Sequence, residues 1–165
     1  MKKGVLFFLL LIAAAIVQGF YYYPLMPENM ASHFEGDGTP NGWQSKGAFY
    51  ATYAGVLFML AFSFLGTSLW ISKIPPAMIN LPNKTYWMHE SRRQAAFGMY
   101  LDFMITFGSG TLILMISLMQ LVFNYNRGGA ENFSSTVWLF LIMYAAFVIV
   151  QTVVFMIRFR VPKGA

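Results

Sequence analysis

His33 has the widest chemical range of any side chain in this sequence. An imidazole titrates near neutral pH, ligates metals and hydrogen-bonds to partners. Glu28, Glu35 and Asp37 lie within five residues of it, so a hard-cation site can be drawn through the stretch. Transition-metal sites normally need further spaced ligands, and no second histidine follows at a suitable distance. The glycines between positions 36 and 42 also lack the ligand rhythm of a calcium-binding hand. The residue types therefore point first to a structural, hydrogen-bonding histidine, next to contact with a ligand or partner, and last to a metal. No cofactor is expected.

Asp102 is the second position of interest, because it falls just inside a long apolar run. An ionisable group at membrane depth is a functional candidate by default. Lys73 and Arg158 fall at comparable depth, so an intramembrane pair between Asp102 and Arg158 is expected. A proton or ion path ranks below it, since no second buried acid could relay. Catalytic constellations are absent from the sequence. His33 and His89 belong to opposite faces of the membrane, so no serine gains both a base and an orienting acid. No glycine loop opens a helix in the manner of a phosphate cradle. With no cysteine, thiolate zinc sites, disulfides and cysteine nucleophiles drop out. The expectation is a protein that is not an enzyme.

The elements that position these residues follow from solvent. Of 165 residues, 58% are hydrophobic and 10% charged, against roughly 25% charged in soluble domains. Such a chain cannot cover itself with polar surface, whereas lipid solvates apolar side chains directly. Four apolar runs, at about 4–23, 48–71, 100–123 and 136–156, are each long enough for a core of about 30 Å, which takes ~20 helical residues. They are continuous rather than alternating, so helices and not a barrel are expected. The first run also resembles a signal peptide, with Lys2 and Lys3 before an apolar stretch and small residues at Ala13–Ala15. Its continuation through Phe20 to Tyr23 favours an uncleaved span. Nine of eleven lysines and arginines (Lys2, Lys3, Lys73, Lys84, Arg92, Arg93, Arg158, Arg160 and Lys163) fall at the termini and in the middle loop. Lys46 and Arg127 sit on the other side with Glu28, Glu35, Asp37 and Glu131. The positive-inside rule then places both ends in the cytoplasm. The expected fold is an all-α membrane protein of one domain over 1–165, with four transmembrane helices, N-in and C-in. The net charge of +5 is spread over the edges of these runs and forms no stripe for nucleic acid.

Helices associate in lipid where small residues let them approach. Gly47, Ala51 and Gly55 on the second span, Ala15 and Gly19 on the first, and Gly108, Ser109 and Gly110 on the third are the expected contact faces within the bundle, with a ligand groove or a docking face for another membrane protein as the alternative. Tyr21, Tyr22, Tyr23, Trp43, Trp70, Trp87, Tyr125 and Trp138 are expected as headgroup-depth anchors. Ser91 with Gln94 three residues on is a capping-box pattern, placing Arg92 and Arg93 in a helical stub at the inner surface.

Pro24 to Lys46 is long for a connection between neighbouring spans. Pro27 followed by Glu28 suits the first turn of a short helix carrying Met30 and Phe34 on one side. Turns follow at Gly36, Gly38, Pro40 and Gly42. The expectation is a small folded extracytoplasmic cap over the outer end of the helices.

Pro27, His33, Phe34, Gly38, Pro40, Asn41, Gly42, Trp43 and Lys46 resemble, without a gap, the outer-loop signature of small bacterial membrane proteins related to the SdpI-type immunity proteins. Ala31 and Asn41 stand where some of those relatives have proline and aspartate. Leu81, Pro82, Asn83, Lys84, Tyr86, Trp87, Arg92 and Arg93 are similar to that family's cytoplasmic segment, with Glu90 one place early for its acidic residue. The resemblance implies a location in the bacterial cytoplasmic membrane. Its characterised members protect against a toxic peptide or transmit its presence. On that footing the outer-loop residues are candidate ligand or partner contacts, and Tyr86, Trp87, Arg92 and Arg93 a cytoplasmic patch. The patch could anchor on headgroups or dock a cytoplasmic partner. The functional expectation is a non-catalytic binding, sensing or immunity-type membrane protein. An accessory subunit of a larger membrane complex is the alternative, and a small transporter trails both. Expected partners are membrane lipids and another membrane protein or a peptide, not nucleic acid.

Overall fold

The computed structural model describes residues 2–129 and 133–161; Glu131 and Lys163, counted above among the flanking charges, lie outside them. In chain order the elements are α1 (Lys2–Tyr22), β1 (Asn29–Phe34), β2 (Pro40–Ser45), α2 (Lys46–Trp70), a single turn α3 (Lys84–Trp87), α4 (Glu90–Asn126) and α5 (Phe133–Arg158). Among the described residues, α1, α2, α4 and α5 are long and apolar enough to cross a membrane. The chain is a multi-pass, four-helix membrane protein, and the four expected runs overlap these helices. α4 is much longer than its apolar run. Its 37 residues correspond to about 55 Å at ~1.5 Å per residue, well beyond the ~30 Å hydrocarbon core.

α4 is the hub, and α1, α2 and α5 each pack against it. Three apolar clusters follow its length. Phe8, Ala15, Tyr53, Leu57, Phe64, Ile105 and Leu112 form the middle one. Met26, Met30, Phe49, Val122, Phe123 and Phe133 close the outer end, the side poor in lysine and arginine. Ile71, Ile79, Leu81, Ala96, Phe97 and Phe159 close the inner end.

Two of the three small-residue faces do what their size permits. Ala15 is fully buried, and its carbonyl accepts the Tyr53 hydroxyl at 2.9 Å. A Cβ on Gly19 would lie 3.0 Å from the Tyr53 ring, and one on Gly108 would lie 2.8 Å from Phe8. The third face is a correction. A Cβ on Gly47 or Gly55 would meet nothing within 4 Å, and Ala51 is exposed. The stripe on α2 looks away from the other helices, because α2 meets α4 through Tyr53, Leu57 and Phe64 instead. Replacing Gly47 or Gly55 by leucine is therefore expected to leave the detergent-phase melting temperature unchanged or slightly raised. Removing a helix glycine contributes up to about 1 kcal/mol, with nothing here to oppose it. A sharp fall in melting temperature would show that the stripe is packed.

The start of α4 is a second correction. Its N-cap is His89, in extended conformation (φ −58°, ψ 142°) and without a side-chain cap bond. Arg92 and Arg93 both donate their backbone N–H groups to the His89 carbonyl. Ser91 lies one residue inside the helix, where its hydroxyl meets His89 Nδ1 at 3.0 Å and caps nothing.

Candidate functional site

The outer loop folds, but not as a helix. Asn29–Phe34 and Pro40–Ser45 pair as an antiparallel hairpin, in register from Asn29 with Ser45 to Phe34 with Pro40. Register shifts between Ala31 and His33, and between His33 and Phe34, bend it. Met30 and Phe34 are four apart, which places them on one face of a strand as readily as of a helix. Met30 is fully buried in the outer cluster, and Phe34 packs on Phe133 and Tyr125. The tip turns through Gly38 at φ +90°, a backbone region that glycine enters without a Cβ penalty. A Cβ there would also lie 3.1 Å from Ser134.

Four attachments fix the hairpin over the helix ends. Asn126, in the last turn of α4, takes both backbone groups of Ala31: its Oδ1 accepts the Ala31 N–H at 2.8 Å and its Nδ2 donates to the Ala31 carbonyl at 3.0 Å. The same amide also donates to the Val122 carbonyl at 2.9 Å. At the tip, the Gly36 carbonyl accepts from Ser134 (2.7 Å) and from the Trp138 indole (3.0 Å), both on α5. At the base, Lys46 pairs with Glu28 at 2.6 Å. The Lys46 side chain is 15% exposed against 88% for that of Glu28, and its ammonium also reaches the Met26 carbonyl at 3.4 Å and the Tyr23 ring at 5.2 Å.

The structure brings the sequence-selected loop residues together on this hairpin, but with unequal roles. Lys46, Phe34, Gly38 and Pro40 hold it in shape. His33, Asn41 and Trp43 are exposed on it, Trp43 at 55%, and Pro27 is exposed in the approach to β1. His33 pairs with Gly42 across the strands, and a Cβ on Gly42 would lie 3.0 Å from the histidine side chain. No hydrogen bond to the His33 ring is made among the described residues, so its place depends on packing over a glycine. Among the same residues no three of His, Asp or Glu converge as a metal site.

Asp37 accepts from both the backbone N–H (2.9 Å) and the hydroxyl (2.7 Å) of Thr39. Those bonds hold its carboxyl below the usual range, the backbone one most strongly. A depressed carboxylate pKa stabilises the folded turn above the unfolded value, near 3.9, and that contribution is lost as pH falls through the folded one. The protection of the Thr39 amide, taken against its intrinsic exchange rate at each pH, is therefore expected to hold down to about pH 4 and to fall below it. Exchange protection unchanged by acid would remove Asp37 from the turn's support.

Asn126 was not legible as a site residue, nor was the polar ladder beneath it. Gln18 Nε2 donates to the Ile116 carbonyl and to Gln120 Oε1, both at 3.1 Å. Gln120 in turn bonds the Tyr22 hydroxyl and Asn124, and the single Tyr53 hydroxyl proton, given to the Ala15 carbonyl, is shared with Gln18 Oε1 at 3.3 Å. Lone amides in apolar runs are the signal that finds such glue.

At the inner end, the expected patch is largely spent on structure. Trp87 and Asn83 converge on the Phe159 carbonyl at 2.9 and 2.8 Å, capping the end of α5. Asn83 does so from a left-handed backbone, φ 52°. Arg92 lies 4.0 Å from the Tyr86 ring centre and donates Nε to the Tyr86 carbonyl. Arg93 is exposed, with its guanidinium 6.0 Å from the Phe97 ring. Trp87 and Tyr22 are half-buried and engaged within the protein; Tyr22 stacks on Phe123 at 4.7 Å. Tyr21, Trp43, Trp70 and Trp138 are exposed. Asp102 is half-buried on α4 and Arg158 is exposed in the last turn of α5.

No curated protein and no solved structure matches the chain. Residues 9–64, which hold most of α1, the whole hairpin and much of α2, match the family model described as "Domain of unknown function (DUF1648)".

Proposed function

We propose that this chain is a non-catalytic, SdpI-related binding and sensing protein of the bacterial cytoplasmic membrane, of the immunity type, whose outer hairpin recognises an extracytoplasmic ligand. The observation that carries this reading is the attachment of the hairpin to α4 by Asn126. A single continuous helix then joins the recognition surface to Arg92 and Arg93 at the inner face. A ligand that shifts β1 pulls on Ala31, and the last turn of α4 must follow or lose its bonds. In the same reading Asp102 and Arg158 pair across α4 and α5. Phe155 packs between Tyr100 and Phe103 at ring distances of 6.4 and 4.5 Å, which brings the end of α5 beside the turn that holds Asp102. Asp102→Asn is expected to lower the melting temperature while leaving the helical content intact. An unchanged melting temperature would remove the pair from the proposal.

A second reading is supported by α5. None of its most apolar stretch is buried, and such a helix suits an accessory subunit packed against a larger membrane protein. One experiment separates the two. The chain has no cysteine, so Asn41→Cys and Arg93→Cys accept fluorophores singly at the outer and inner ends. Mild extraction and native separation are then followed by titration with concentrated extracytoplasmic fluid. A monomer or dimer whose two labels both respond supports sensing. A stoichiometric complex with silent labels replaces it with the accessory role.

A further inference from the structure

The hairpin has two edges, and they differ. In an antiparallel ladder, positions alternate between pairs that bond each other and pairs whose N–H and C=O groups point outward. Lys46 donates its N–H to the Glu28 carbonyl at 2.8 Å. The alternation then makes Met30 with Gln44 a bonded pair and turns the backbone groups of Ala31 and Trp43 outward. On the β1 edge those groups are taken by Asn126, whose amide acts as one residue of a neighbouring strand. On the β2 edge the N–H and C=O of Trp43 are met by no other element among the described residues. Ser45 has its hydroxyl engaged with the Ala48 N–H at the start of α2. Pro40 and the register shift at Asn41 guard the tip end of this edge, as is usual for exposed strands, and leave the stretch around Trp43 open.

We infer that this open β2 edge, centred on Trp43, receives an extended cationic peptide segment as a third strand. The inference rests on the recognition reading above and specifies its partner. Main-chain bonds supply affinity in such strand addition, and side chains supply selectivity. Charge selects the occupant. Glu35 and Asp37 are exposed at the tip end of the edge, and the Glu28 side chain, paired with Lys46, is 88% exposed at the base of the hairpin. The cation that faces Glu28, Lys46, is folded inward under Tyr23 and leaves the outer carboxylate surface to solvent. A basic strand therefore finds two acids at the tip end and, at the base, a carboxylate shared with Lys46. A second copy of this hairpin, pairing antiparallel about Trp43, would bring the tip acids of one chain against Glu28 of the other. The exposed Trp43 ring and the His33 ring lying over Gly42 supply the surface for the incoming side chains.

The test uses the full chain in zwitterionic nanodiscs and a labelled synthetic peptide of about nine residues, alternating lysine and valine, enough to span the edge. Empty nanodiscs report binding to lipid alone. The expected result is saturable binding that weakens with salt and slows hydrogen exchange at the Trp43 amide. Methylating alternate peptide amides is expected to weaken binding at least about tenfold, because the strand bonds are lost. Exchanging lysine for glutamate is expected to abolish it. Trp43→Pro removes the outward N–H without touching the bonded pairs, and is expected to weaken binding about tenfold. Equal binding of the methylated peptide would overturn the edge mode, and so would absence of any binding with Trp43 exchanging freely. Trp43 protection that rises with protein concentration alone would give the edge to a second copy. In each of these outcomes, a continued response of the Asn41→Cys label to extracytoplasmic fluid would leave the recognition reading standing.

Discussion

Asn126→Ala is expected to release the hairpin from α4 while leaving the four spans in place. The substitution deletes three hydrogen bonds and strands the N–H and C=O of Ala31, which is 4% exposed. Each unsatisfied buried group costs about 1–3 kcal/mol, so a loss of about 2–6 kcal/mol is expected for the two. The signature is local. Amide exchange and protease cleavage between residues 29 and 45 rise strongly, whereas the helical signal in detergent stays near that of the parent. Asn126→Asp retains an acceptor for the Ala31 N–H but sets its second oxygen against the Ala31 and Val122 carbonyls, and is expected to lose at least as much. If hairpin exchange were the same in parent and alanine variant, the attachment of β1 to α4 would have to reside elsewhere, and the sensing proposal would lose its link.

Gly108→Val and Gly110→Val should act on the helices instead. A Cβ on Gly108 would stand 2.5 Å from Phe64 and 2.8 Å from Phe8, both in the middle cluster; one on Gly110 would overlap the Phe147 ring of α5. Rings cannot retreat as a flexible side-chain end can, so the helices must separate. Overpacking of this kind costs about 1–3 kcal/mol per site. The two variants differ in what they detach. Gly108→Val strains α1 and α2, while Gly110→Val pushes α5 alone. Distance measurements between labels on α4 and α5 are expected to widen only for Gly110→Val. A matching expansion in both variants would mean that α5 is coupled to α1 and α2 more tightly than its packing on α4 implies.

The helices were legible because solvent decides them: a run of about twenty apolar residues has few alternatives in lipid. Gly19 and Gly108 were legible for the same reason, since close approach demands small residues. The stripe of Gly47, Ala51 and Gly55 followed the identical rule and misled, because residue size permits contact without naming a partner. The hairpin was missed on a coincidence of periods. Met30 and Phe34 satisfy a spacing of four, which serves both a helical turn and two strand repeats, and Pro27 before Glu28 tipped the reading to helix. The run from Gly36 to Gly38 between two short segments was the available strand signal. Asn126 was invisible for a different reason. An asparagine at the end of a long helix ordinarily satisfies its own chain end, and nothing local reveals that its amide serves a strand 95 residues earlier. Trp87 shows the same limit, since its role is set by a carbonyl 72 residues further on.

The grip of α5 on the hairpin tip has a consequence for the order in which the chain can assemble. Gly36 leaves the ribosome long before its two partners exist, since Ser134 and Trp138 follow it by 98 and 102 residues. Asn126 comes late as well. During synthesis, which proceeds from the N-terminus, the hairpin can close on itself but cannot be seated, and until Asn126 arrives its β1 edge stays as bare as its β2 edge. Insertion of the last span is thus the event that completes the outer cap, so a nascent chain halted just before it would hold the hairpin by its β1 edge alone, with the tip at Gly36 unseated.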